Sequence, residues 1–176
     1  MQKQILLLLS LAAVWLAVPA QQPATPAEGK PPTIKPGEIG SHLPEFSVKG
    51  LDGHEISSSQ LRGKVVLIDF WATWCQPCKK EMPGYQALLN KYGPRGFAVV
   101  GFKFSTMMDT EDPVSFARRL GIRYLLAVAS DEIKGKFGGI EGLPTTMLYD
   151  RDGILRQKII GFEYPHVIES QLKPLL

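Results

Sequence analysis

The chain has 176 residues, a formal net charge of +3 and only two cysteines. That length suits one compact domain with terminal extensions. The dispersed basic residues, adjacent only at Lys79-Lys80 and Arg118-Arg119, give no stripe for nucleic acid, and two cysteines exclude a cysteine-stapled scaffold. Residues 1–20 read as a secretory signal: Lys3, an uncharged apolar run from Ile5 to Val18, and small residues ending at Ala20. The run is short for a membrane span, so cleavage after Ala20 is favoured over an uncleaved N-terminal anchor. Residues 21–43 carry prolines at 23, 26, 31, 32 and 36 and no aromatic residue, the composition of a Pro-rich linker. The folded domain is expected over residues 44–176.

Asp52-Gly53 is a hairpin signal, so Pro44 to Lys49 and His54 to Ile56 form an opening β-hairpin. A short helical turn follows at Ser57 to Leu61. Lys64 to Trp71 is an almost continuous apolar, β-branched run, as in a strand covered on both faces. Pro77 suits an early helical position, and a helix runs from there to Tyr92, stopped by Gly93-Pro94 and expected to bend at Pro83. Gly96 to Phe104 is the next strand. Asp112 caps a helix reaching Leu120, Tyr124 to Ala129 is a short strand, and Asp131 to Phe137 is helical. Thr145 to Tyr149 and Ile154 to Ile160 form a hairpin around Asp152-Gly153, and a last helix covers Pro165 to Leu172. Alternating strands and helices with a closing hairpin predict an α/β fold, a mixed central sheet flanked by helices.

The cysteines stand in Trp74-Cys75-Gln76-Pro77-Cys78, between a buried strand and a helix start. Cys-x-x-Cys in that context is a redox signature, a dithiol able to close into a disulfide. A bridge between residues three apart restricts the unfolded chain little, so stability is a poor reason for the pair.

The run Asp69-Phe70-Trp71-Ala72-Thr73-Trp74-Cys75-Gln76-Pro77-Cys78, with Pro83 and the later Gly142-Leu143-Pro144-Thr145, resembles the thioredoxin superfamily. The exported TlpA/ResA-like branch is the most similar part of it. That resemblance implies a thioredoxin-like fold in which Gly50 to Ile56 supplies the N-terminal β-hairpin and Pro113 to Ala129 an inserted helix-strand element. It also implies a cis Leu143-Pro144 bond opposite the cysteines, leaving the Leu143 backbone free to pair with an extended substrate segment. The loop from Phe137 to Glu141 has one glycine more than the usual thioredoxin pattern.

Helix-start N–H groups and the helix dipole favour a thiolate at Cys75, the expected exposed nucleophile, with Cys78 one turn further in as the resolving thiol. Gln76 and Pro77 tune the pair without fixing its potential. By resemblance to thioredoxin, Asp69 is a buried acid near Cys78 with a raised pKa; TlpA/ResA-like proteins often have Asn there. Lys103 on the following strand either pairs with Asp69 or faces solvent. Glu81, three residues past Cys78, is either a tuner of the cysteines, as in ResA-like proteins, or an exposed helix acid. Trp74 suits an apolar docking surface and Trp71 core packing. Thr145, Thr146, Met107 and Met108 read as ordinary structural residues, and His42, His54 and His166 lack ligand spacing.

The function expected is that of an extracytoplasmic thiol-disulfide oxidoreductase, periplasmic or anchored by its N-terminal segment, with no cofactor beyond the Cys75-Cys78 disulfide and no metal. The resemblance implies work in the reducing direction, with apocytochrome c among the protein substrates and a DsbD/CcdA-type membrane reductant as electron donor. Two alternatives stay open: a copper-binding metallochaperone using both thiolates, and a thiol peroxidase. The peroxidase pattern places Thr three residues before its cysteine, whereas Thr73 is two before Cys75.

Overall fold

The computed structural model describes residues 34–109 and 111–176. The predicted signal and most of the predicted linker therefore lie outside the described residues. The elements are β1 (Ser47–Lys49), β2 (Glu55–Ser57), β3 (Val65–Trp71), α1 (Gln76–Tyr92), β4 (Phe97–Lys103), α2 (Pro113–Arg119), β5 (Leu125–Val128), α3 (Asp131–Lys136), β6 (Thr145–Tyr149), β7 (Leu155–Ile160) and α4 (Pro165–Leu172). Five strands form one sheet in the order β5-β4-β3-β6-β7. Strands β3, β4 and β5 run parallel, while β6 pairs antiparallel with both β3 and β7.

Parallel strands need crossover connections, and α1 and α2 provide them. Because β3 and β4 are central, every residue of both is buried. Side chains alternate between faces along a strand. Val65, Leu67 and Trp71 accordingly join Val99, Met82, Tyr85, Phe116 and Ile168 in one cluster, while Val66, Ile68 and Phe70 join Phe46, Phe102, Ile133 and Phe137 in the other. The hairpin β1-β2 stands apart from the sheet but is tied to its edge by the Leu51 N–H donating to the Leu126 carbonyl at 2.7 Å. α1 runs unbroken through Pro83. Asp112 and Ser130 cap α2 and α3, accepting from the N–H groups of Ser115 and Ile133.

Residues 40–43, assigned by composition to the linker, are laid along residues 153–155, where β7 starts. The Gly40 N–H donates to the Leu155 carbonyl at 2.9 Å, the Leu155 N–H to the Ser41 carbonyl at 2.8 Å, and the Leu43 N–H to the Gly153 carbonyl at 2.7 Å. The ordered domain thus begins ahead of Pro44. Composition misses this because the pairing uses backbone groups supplied far along the chain. The extra glycine after α3 has its reason here too. Gly138 has φ +83°, and a Cβ on it would lie 2.0 Å from the Pro36 carbonyl oxygen; one on Gly37 would lie 2.2 Å from that of Phe137.

Gly138→Ala is therefore expected to destabilise the fold by at least about 1–2 kcal/mol from the left-handed backbone alone, and to expose residues 34–43 to protease. Gly135, inside α3 with open space around its Cα, is the control: Gly135→Ala should stabilise by about 0.5–1 kcal/mol. Urea melts and limited proteolysis of the two variants check this, and equal behaviour would refute the close-approach account.

Candidate active site

The chain leaves β3 at Trp71 and turns through Ala72, Thr73 and Trp74 into α1. Cys75 is the N-cap of that helix, with extended backbone (φ −76°, ψ 104°), and its Sγ accepts from the Cys78 N–H at 3.3 Å. A side-chain acceptor at this position satisfies one of the helix's unpaired N–H groups. Pro77 falls in the first turn, where its missing donor costs nothing. Cys75 and Cys78 are joined by a disulfide. Cys78 is 0% exposed and Cys75 only 3%, so both cysteines are buried in this oxidised state and the expected exposure of Cys75 is not found.

Thr145 stands opposite Phe70 in the β3–β6 register. Pro144 therefore sits level with the end of β3, beside the turn that carries the cysteines, and the Leu143-Pro144 bond is cis, as the resemblance implies. The Pro144 carbonyl accepts from the Gly161 N–H at 2.8 Å, which brings the β7–α4 connection to the same end of the sheet. Leu143 is half-buried, packed against both core clusters. Ile160 at the end of β7 and Phe162 and Tyr164 on that connection are exposed apolar side chains.

Asp69 is completely buried at the middle of β3, opposite Gly101 on one side and Thr146 on the other. It shares its sheet face with Leu67 and Trp71, the face that α1 covers. Glu81 is also fully buried, so the solvent-facing reading of that residue is wrong. It projects one turn beyond Cys78 and is roofed by α4: Gly84, the next turn on, meets Pro165 so closely that a Cβ would fall 2.2 Å from the ring. Neither carboxyl has a hydrogen-bond partner for either oxygen.

Burial pushes the Asp69 carboxyl well above the ordinary carboxylate range. Burial does the same to Glu81, and the nearby Asp69 charge adds to it; the Glu163 backbone N–H and the Tyr85 hydroxyl pull the other way, without reaching hydrogen-bond geometry. Each acid thus penalises ionisation of the other. Around them lie the Tyr85 hydroxyl, 2.9 Å from Thr146 Oγ1, and the buried, unpartnered Tyr124 hydroxyl and Trp71 Nε1. Trp71 stacks on Phe116 with ring centroids 5.1 Å apart, the core role expected of it.

Lys103 follows neither course expected from the sequence. It is buried, yet its Nζ donates to Asp109 Oδ2 at 2.5 Å rather than reaching Asp69 or solvent. The register explains this: Lys103 pairs with Trp71 at the open end of the sheet, two residues beyond the Gly101 that faces Asp69. Asp109 collects further donors, Thr73 Oγ1 at 2.9 Å and the Thr106 N–H at 3.1 Å. Burial raises the Asp109 pKa, but these bonds outweigh it and hold the carboxyl below its ordinary value. Trp74 Nε1 donates to Thr106 Oγ1 at 2.9 Å, so the tryptophan before Cys75 is half-buried and tethered. The same tight turn throws Met107 and Met108 outward, fully and largely exposed, where packing was expected.

Sequence reasoning missed Tyr85, Thr146 and Asp109. For Tyr85 a signal exists, its place four residues after Glu81 on one helix face. Among the described residues no group of three or more His, Cys, Asp and Glu side chains comes together as metal ligands would. Nor is any helix of the described residues long and apolar enough to cross a membrane.

This site can cycle between dithiol and disulfide, and known proteins place it. Residues 39–158 match the AhpC/TSA family model. The chain is 34% identical over 140 residues to the thiol-disulfide oxidoreductase ResA of Bacillus anthracis, covering 78% of this chain and 79% of that one. It is 34% identical over 176 residues to the thiol:disulfide interchange protein DsbE of Escherichia coli K12, covering 97% and 89%. A crystal structure of a putative DsbE from Chlorobium tepidum superposes with a TM-score of 0.70 at 28% identity, covering 78% of this chain and 97% of that one. The chain belongs to the AhpC/TSA family and is a thiol-disulfide oxidoreductase of the ResA and DsbE type.

Proposed function

We propose that the protein works outside the cytoplasm as a reductant of protein disulfides, including those of apocytochrome c, and is recharged by a DsbD/CcdA-type membrane reductant. The observation that carries the thiol-exchange reading is the Cys75-Cys78 disulfide at the start of α1, with the buried carboxyls of Asp69 and Glu81 on the sheet and helix beside it; the reducing direction follows from the likeness to ResA. Reduction of a client begins with Cys75 thiolate attacking a client sulfur, which forms a mixed disulfide and expels the other client thiolate. Cys78 must then lose its proton before its sulfur can displace the second client thiolate and close the Cys75-Cys78 bond. Client disulfide gains two electrons and the protein's dithiol loses them.

A buried thiol has no water to take that proton. Asp69, held above its ordinary pKa by burial, is matched to accept it near neutral pH. Trp74, Leu143 and Pro144 flank Cys75 as the docking surface, and Gln76 and Pro77 set the spacing of the sulfurs. The disulfide itself is the only redox group this chemistry requires. The metallochaperone alternative has two sulfurs to offer, short of a closed tetrahedral zinc site but enough to hold copper(I) between two thiolates, so copper binding is tested alongside exchange.

A Cys78→Ala variant should accumulate mixed disulfides at Cys75 with extracytoplasmic proteins, recoverable by mass spectrometry and released by dithiothreitol. In parallel, the wild type should accelerate insulin reduction, and its disulfide should equilibrate with a reducing dithiol couple rather than with strong oxidants. A strongly oxidising potential would overturn the direction; stoichiometric copper(I) binding without thiol exchange would replace the function.

The buried acids also set a stability trend with pH. A carboxyl whose pKa is raised in the folded protein contributes stability fully present below about pH 4, its unfolded value. That contribution is lost as pH rises towards the raised value, because the unfolded chain releases the proton first. The oxidised wild type should therefore lose stability between about pH 4 and the mildly alkaline range. Asp69→Asn should flatten that fall and gain at least about 1–2 kcal/mol on the wild type at neutral pH, since a tenfold change in proton affinity between the folded and unfolded chain is worth about 1.4 kcal/mol. Urea midpoints across pH decide it, and parallel curves for the two proteins would contradict the assignment.

A further inference from the structure

Thr146 is the β6 residue directly opposite Asp69, so their side chains share a sheet face. Tyr85 lies one helical turn beyond Glu81, on the same side of α1. The Tyr85 and Thr146 hydroxyls meet at 2.9 Å in the core between the sheet and α1. Two carboxyls with no partner of their own thus flank a pair of hydroxyls, each able to accept one proton while donating another. The arrangement runs from β3 at the centre of the sheet to α1 under the β7–α4 connection, where Glu163 is only half-buried.

We propose that the Tyr85–Thr146 hydroxyl pair bridges Asp69 and Glu81, so that the proton leaving Cys78 is shared by both carboxyls rather than resting on Asp69 alone. This rests on the oxidoreductase chemistry above and adds to it an exit for the proton. The link closes when one carboxyl is ionised, because a carboxylate draws a hydroxyl donor that a neutral acid does not. In the step itself the Cys78 S–H bond breaks and its proton passes to the Asp69 carboxylate. A proton then moves from Asp69 through the two hydroxyls to Glu81, and Glu81 releases one to solvent past Glu163. The electron pair left on Cys78 forms the bond to Cys75 Sγ, the mixed disulfide breaks, and the departing thiolate takes a proton from solvent.

The groups facing this position are Asp69 from β3, Glu81 and Tyr85 from α1, Tyr124 from the segment before β5, Thr146 from β6 and Glu163 from the β7–α4 connection. Lys103 from β4 is held away by Asp109. The Tyr124 hydroxyl faces the same acids but has no hydrogen-bond partner, whereas Tyr85 and Thr146 are already joined; burial raises both tyrosines far above their ordinary pKa, so they pass protons only as neutral hydroxyls. Tyr85 and Thr146 are thus positioning residues that touch neither sulfur nor client.

The test mixes reduced full-length protein with oxidised glutathione and follows formation and decay of the Cys75 mixed disulfide by acid quench and mass spectrometry, from about pH 5 to about pH 9. Tyr85→Phe and Thr146→Val should leave the first attack unchanged and slow ring closure about tenfold below neutral pH, less than the full worth of a positioned base because Asp69 remains. Thr146→Ser, which keeps the hydroxyl, should close at the wild-type rate. Glu81→Gln should slow closure in the wild type but add nothing in the Tyr85→Phe background. Unchanged closure profiles in both hydroxyl variants, or independent multiplication of the Tyr85 and Glu81 effects, would overturn the bridge. A merely structural hydroxyl pair would lower the melting temperature and leave the pH profile alone. Since glutathione replaces the client, normal bridge behaviour with no client reduction would count against the proposed function and not against the bridge.

Discussion

A carboxyl group at the centre of a sheet, with both faces covered, has to remain neutral or find a partner for its charge. Asp69 is in that position, and the surrounding structure gives it neighbours but no counter-charge. Its flanking strands present Gly101, which has no side chain, and Thr146, which has only a hydroxyl. Above it α1 contributes a second acid, Glu81, and a phenol, Tyr85, rather than a lysine or arginine. An apolar residue at position 69 would pack more cheaply, so the cost of the acid is intelligible only through the thiol chemistry one helical turn from Glu81. Packing, protonation and the burial of Cys78 thus depend on one another.

The contrast with Lys103 makes the same point from the opposite direction. Lys103 is almost as buried as Asp69 and lies on the neighbouring strand, yet two residues of register carry it to the open end of the sheet. There it meets Asp109 and becomes the anchor of a charge-assisted network reaching Thr73 and, through Thr106, Trp74. A salt bridge to Asp69 would neutralise that acid's pKa shift and remove its ability to accept a proton near neutral pH. By engaging Lys103 elsewhere, Asp109 leaves the acid in the core without a counter-charge.

Much of this was legible in the sequence, and the remainder was not for definite reasons. The strands around Asp69 are continuous apolar runs whose length and flanking turns define them, and the cysteine motif at a strand-to-helix junction identifies its own chemistry. Helix caps at Asp112 and Ser130 follow from local residue type. What local pattern did not show were particular contacts made by residues distant in the chain. Residues 40–43 look like linker because their pairing comes from bonds to residues 153–155, more than a hundred positions away. Glu81, preceded by two lysines, reads equally as a tuner of the cysteines and as a surface acid, because nothing local records the packing of α4 against α1 that buries it. Met107 and Met108 look like core because hydrophobicity alone cannot register a turn pinned by Asp109 and Thr106.

The disulfide therefore lies between two polar networks of different character. On the Cys75 side, Asp109 is ionised and saturated with donors, so the Thr73–Trp74 turn is held in place across the physiological pH range. On the Cys78 side, Asp69 and Glu81 have no hydrogen-bond partner and raised pKa values, and they lie beside the paired hydroxyls of Tyr85 and Thr146. A charge-saturated network positions well and buffers protons poorly, whereas an under-bonded neutral one does the reverse. The two cysteines therefore differ in their surroundings, and on the proposed mechanism this difference matters twice: Cys75 is the N-cap of a helix beside a fixed turn, and Cys78 is the buried thiol whose proton must leave.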